Sequence, residues 1–176
     1  MSLIDKALAA ITPLPSEETR AQATREARAL CAPGDWLSRV LDHHDLIRAA
    51  FEAGNSAQTA EERHSARRTL ARVLNGHALA EELVLYPAMG QSGEKAHAAH
   101  AYLEQTTTKT QMAELETIAA SKSAWKDKWK HIQGAVLTHM YEEESGWFLE
   151  LHKSAPKPDR LTDRYMEEYS RYVDGA

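Results

Sequence analysis

Two stretches of this chain repeat one chemical pattern. His77-Ala78-Leu79-Ala80-Glu81-Glu82 runs on to Leu85-Tyr86-Pro87, and His139-Met140-Tyr141-Glu142-Glu143-Glu144 runs on to Trp147-Phe148. In each, a His precedes a Glu by four residues, a second Glu follows at once, and an aromatic stands nine residues after the His. Four residues is just over one turn of α-helix, so each His and its Glu project from one face. Those faces are otherwise apolar: Ala66, Leu70, Val73 and Val84 flank the first pair, and Trp125, Ile132, Val136 and Trp147 the second. Burying a carboxylate and an imidazole costs several kcal/mol unless each is paired or ligated, so two buried pairs call for a shared partner. Mixed nitrogen and oxygen donors suit iron, manganese or zinc, whereas calcium or magnesium would want oxygen alone. Glu81 and Glu143 bridging two metal ions, with the histidines binding terminally, would leave room for a small exogenous ligand.

The elements that must hold these residues are helices. The 176-residue chain has 43% hydrophobic content, enough for one ordinary core. Abundant Ala, Glu, Leu, Arg and Lys, with no alternating valine- and threonine-rich runs, predict an all-α fold. After a short amphipathic piece, Leu3 to Ile11, Ser16-Glu17-Glu18 is a helix start leading to about Leu30, and together these form an appended arm over residues 1–34. Asp35 caps a first long helix with Trp36, Val40, His44, Ile47 and Phe51 on one face, and Gly54 to Gln58 is a turn. Thr59 and Glu62 make a capping box for the second, Pro87 to Gly93 is a loop, and the third runs from about Glu94 to Ile118. A turn at Ser121 to Ser123 leads into the fourth. Short connections between four long helices predict an antiparallel up-down four-helix bundle over residues 35–152. Residues 153–176 are a break followed by a polar amphipathic helix, about Leu161 to Val173, expected on the outside with no chemistry of its own.

Counting outward from the turns puts His44, His77, His139 and Gln105 at one level of the bundle, with Glu81 and Glu143 one turn deeper. Asp42-His43-His44 with Ile47 and Phe51, His77-x-x-x-Glu81-Glu82 leading to Tyr86-Pro87, and His139-x-x-x-Glu143-Glu144 together resemble the hemerythrin-like proteins with the HHE cation-binding domain. The resemblance covers about residues 35 to 150. It implies a non-haem centre of two iron ions that binds dioxygen or a related small molecule such as nitric oxide or peroxide. His44 fits the inner stripe better than His43. Many members of that family carry a His on the third helix, where this chain has Gln105, a poor iron ligand. Glu104, at almost the right depth, is the expected ligand there after a small rotation of the helix, and His97 and His100 are groups that could back the ligands. The expected metal set is therefore His44, His77, Glu81, Glu104, His139 and Glu143. Glu82, Glu142 and Glu144 are expected to be solvated or to orient imidazoles, and Tyr86, Trp147 and Phe148 to serve as lid and core.

Three functions compete at this stage. One is a di-metal protein that binds or senses dioxygen, nitric oxide or peroxide; another is a di-iron oxidase or peroxide-consuming enzyme; the third is a bundle with a structural or degenerate metal site. A formal charge of -5 offers no attraction for nucleic acid or an anionic membrane surface. No run of eighteen apolar residues and no signal-peptide pattern stand in the chain, and Cys31 is its single cysteine, so a cytoplasmic location is expected. The oligomeric state has no signature in the sequence.

Overall fold

A computed structural model describes residues 14–155 and 158–175. The piece expected at Leu3 to Ile11 lies outside them. Helix α1 spans Glu17–Leu30, α2 Trp36–Ser56 and α3 Ala60–Ala80. A π-helical turn, Glu81–Leu85, joins α3 to α4 (Tyr86–Gln91), and α5 spans Lys95–Glu116. Helix α6 (Ser123–Glu142) likewise passes through a π-helical turn, Glu143–Trp147, into α7 (Phe148–Ser154), and α8 spans Pro158–Val173. The described residues are all-α. Helix α2 packs on α3, α3 on α5, α5 on α6, and α6 back on α2, which closes the antiparallel four-helix bundle. Helix α1 lies against α2 and α6, and α8 lies across α2 and α3.

Capping residues set the starts. Ser16, Asp35 and Thr59 each accept a hydrogen bond from a backbone N–H in the first turn, and Glu62 returns the bond to Thr59 in a full capping box. Two expectations need correction. The chain does not turn at Gly54 but stays helical to Ser56, and Gly54 is where α2 meets the Trp129 ring; a Cβ there would lie 2.2 Å from it. Nor is 87–93 a loop throughout, since Tyr86–Gln91 is helical with Pro87 in its first turn, where a missing N–H is tolerated. In the π-helical register the partner of the Glu82 carbonyl would be the N–H that Pro87 lacks, and the Tyr102 hydroxyl donates to that carbonyl instead, at 2.5 Å.

The core is divided. One apolar cluster holds Trp36, Leu37, Leu41, Tyr86, Met89 and Phe148; the other holds Ile47, Phe51, Leu70, Leu115, Trp125, Trp129 and Ile132. Between them lies a buried layer of His44, His77, Gln105 and His139, the level obtained by counting from the turns, with Glu81 and Glu143 beside it.

Candidate metal centre

The two π-helical turns follow directly on Glu81 and Glu143, and they decide which side chains share a face with those carboxylates. In a regular α-helix five residues rotate by about 140° from the starting direction, so Tyr86 would point away from Glu81. The π-helical turn absorbs one residue, the Tyr86 N–H bonding to the Glu81 carbonyl five residues back, and the net rotation falls to about 40°. Tyr86 therefore returns to the inner face. The Phe148 N–H bonds to the Glu143 carbonyl in the same way, and Phe148 packs edge-on against Trp36.

Four side chains converge. The ligand-competent atoms of His44, His77, Glu81 and Glu143 all lie within 4.8 Å of one another. His77 Nε2 is 3.1 Å from Glu81 Oε1, and His44 Nε2 is 3.3 Å from Glu143 Oε2. No more than 1% of any of the four residues is exposed. The four atoms His44 Nε2, His77 Nε2, Glu81 Oε1 and Glu143 Oε2 are buried without a well-formed hydrogen bond. Orphaned buried polar atoms are costly, and the 3.1 and 3.3 Å separations within the two pairs match neighbouring donors about 2.1 Å from a shared ion.

Each imidazole is held from behind. His44 Nδ1 meets Glu144 Oε1 at 2.7 Å, His77 Nδ1 meets the Tyr165 hydroxyl at 3.0 Å, and His139 Nδ1 meets Glu104 Oε2 at 2.8 Å. The carboxylates behind His44 and His139 can only accept, so Nδ1 of each carries a proton, and Nε2 of all three rings faces inward. Glu144, itself 1% exposed, is fixed by Arg48 and by the Thr24 hydroxyl of α1, each at 2.5 Å. Tyr165 comes from α8 and also meets His43 Nδ1 at 2.8 Å. His43 faces outward from the cluster, stacked on Tyr169 at 3.6 Å between ring centroids.

Beside the four-atom cluster lies a different arrangement. The Tyr86 hydroxyl is 3.1 Å from each of Glu81 Oε2, Glu143 Oε1 and His139 Nε2. The Gln105 amide donates to Glu81 Oε2 at 2.8 Å and to Tyr86 at 3.0 Å. The inward side of α5 is thus served by Gln105, while Glu104 stands on the outer side of the His139 ring. His100 is 3.3 Å from Glu104 and half exposed; His97 pairs with Glu94 and stacks on Trp147.

Charge is shared unevenly. Burial, reinforced by the neighbouring Glu143, pushes Glu81 well above the carboxylate range. Glu143 is held below that range: burial opposes this, but His139 and the nearby His44 outweigh it. His44 loses stability as a cation through burial yet is raised to about 9 by the adjacent Glu143 and its bond to Glu144, and His139 is raised by Glu143 and Glu104 against the same penalty. Burial together with the His44 charge keeps His77 neutral. The surroundings thus favour a proton on Glu81, His44 and His139 and disfavour one on His77 and Glu143.

The family model of the hemerythrin HHE cation-binding domain matches residues 37–151. The chain belongs to the hemerythrin HHE family. The HHE domain runs from the start of α2 into α7 and contains His44, His77, Glu81, Glu104, Gln105, His139 and Glu143, whereas α1 and α8 lie outside it. Comparisons with curated proteins and with solved structures returned no match.

Three features of this HHE site do not show in the helical period of the sequence. The Tyr86 hydroxyl was hidden because nine residues of regular helix point it away from His77; the signal was Pro87 following it in a repeated frame. The reach of Tyr165 was hidden because α8 reads as a polar outer helix, although Tyr165, Tyr169 and Tyr172 make a helical stripe. Thr24 of α1 behind Glu144 left no trace in the sequence.

Proposed function

We propose that this HHE protein holds a centre of two iron ions and uses it to bind or sense dioxygen, nitric oxide or peroxide. The four orphaned atoms carry the reading. His44, His77, Glu81 and Glu143 would hold one ion. His139 and the second oxygens of Glu81 and Glu143 would hold the other, with Tyr86 and Gln105 where a third-helix histidine would stand. Glu104 serves by holding the His139 ring in this reading. Manganese or zinc would fit the same donors. When bound, two iron ions would supply open coordination positions for a small ligand.

The protein's own part is to exclude bulk water, to present three Nε2 atoms inward, and to offer donors at the second position. A hydroxyl and an amide N–H there favour a peroxide-consuming oxidoreductase as the second reading. Protein loaded anaerobically with ferrous iron and then exposed to air separates the two. Binding predicts a visible ligand-to-metal band that fades when oxygen is removed; the enzyme predicts rapid loss of added peroxide. Absence of both, with a single firmly held zinc, would leave a structural site.

A further inference from the structure

We propose that His100, Glu104 and Glu142 form an outer divalent-metal site on the α5–α6 surface, through which ions enter the buried centre. The ligand-competent atoms of these three residues lie within 4.8 Å of one another. His100 Nε2 is 3.3 Å from Glu104 Oε1 and 3.8 Å from Glu142 Oε2, the second too long for a hydrogen bond. Glu142 Oε2 is shielded from solvent and has no hydrogen-bond partner. Three nearby acids are instead answered by Lys or Arg: Glu82 by Lys109, Glu114 by Lys128, and Glu116 by Arg67. Among the described residues, neither Glu104 nor Glu142 has a Lys or Arg partner; only imidazoles approach them. Two adjacent carboxylates and an imidazole with no fixed cation between them suit a divalent first-row ion of the kind that accepts nitrogen and oxygen together.

The position explains the entry role, which rests on the buried centre proposed above. The inner donors are sealed from solvent, while side-chain exposure is 48% at His100, 21% at Glu104 and 26% at Glu142. Glu104 is shared: Oε1 faces His100, and Oε2 accepts a hydrogen bond from His139 Nδ1. A single imidazole ring therefore separates the outer site from the inner one. Drawing Glu104 toward an outer ion loosens the bond that fixes that ring, and Trp147 packs against both His100 and His139, at 5.7 and 5.9 Å between centroids.

Equilibrium dialysis against Zn²⁺, with metal analysis, tests the site in the full chain. His100→Ala with Glu142→Gln should bind one ion fewer than the unaltered protein. The same one-ion difference should persist in a Glu81→Gln, Glu143→Gln background, so that failure of the inner centre would not disguise the outer site. Helical circular dichroism should be unchanged, both residues being at the surface. Equal stoichiometry with and without the outer substitutions would overturn the site. Mixing metal-free protein with Zn²⁺ in a stopped-flow fluorimeter tests the entry role: the outer variant should load the inner centre at least about tenfold more slowly. An unchanged loading rate would overturn the role.

Discussion

At the residue scale, the centre is a competition between protons and an ion. His44 is raised to about 9 against an ordinary value near 6.5, so the stability it lends the metal-free fold is fully present below about 6.5 and is lost as pH climbs through about 9. Metal binding must expel that proton, and the upward shifts of His139 and Glu81 set the same competition at those donors. Between pH 6.5 and 9 the metal-free protein should therefore melt at progressively lower temperature while its metal affinity increases, and calorimetric titration in buffers of different ionisation enthalpy should show net proton release. Release of no proton would mean that the ion binds elsewhere. Tyr86 is the second residue-scale test. Tyr86→Phe removes one hydroxyl from Glu81, Glu143, His139 and Gln105, leaving buried groups short of a partner at about 1–3 kcal/mol. The ion at His44 and His77 should persist and the second should weaken, which metal titration would resolve as one tight site instead of two.

At the scale of elements, the two π-helical turns and the close helix contacts set the geometry. Gly54→Ala would drive a methyl group into the buried Trp129 ring, and overpacking of this kind costs about 1–3 kcal/mol. A lower melting temperature with an unchanged metal count is expected, because Trp129 lies in the apolar cluster distant from the donors. Most of this architecture was legible beforehand. The capping residues Ser16, Asp35 and Thr59, the helical stripes, and the common level of His44, His77, Gln105 and His139 follow from local chemistry and period. What was hidden depends on departures from that period or on tertiary docking: a π-helical turn moves Tyr86 by a full residue's rotation, and Gly54 reads as a turn until Trp129 is seen against it.

At the scale of the whole molecule, the added helices reach the candidate metal centre. Helix α1 reaches His44 through Thr24 and Glu144, and α8 reaches His77 through Tyr165. Gly76 lets α8 lie close, since a Cβ there would come within 2.7 Å of Val173. Tyr165→Phe keeps the aromatic packing and removes the hydroxyl, and loss of such a partner behind a ligating histidine costs about 10–100-fold in metal affinity. That drop, at unchanged helical content, would show that α8 acts on a centre it does not itself line. The central claim is that four orphaned atoms mark a metal-binding centre, and metal analysis of purified protein, expressed without supplementation, tests it most directly beside the isosteric variant Glu143→Gln. The account predicts at least one firmly held ion per chain in the unaltered protein and its loss in the variant; less than one ion, or the same content in both, would contradict it.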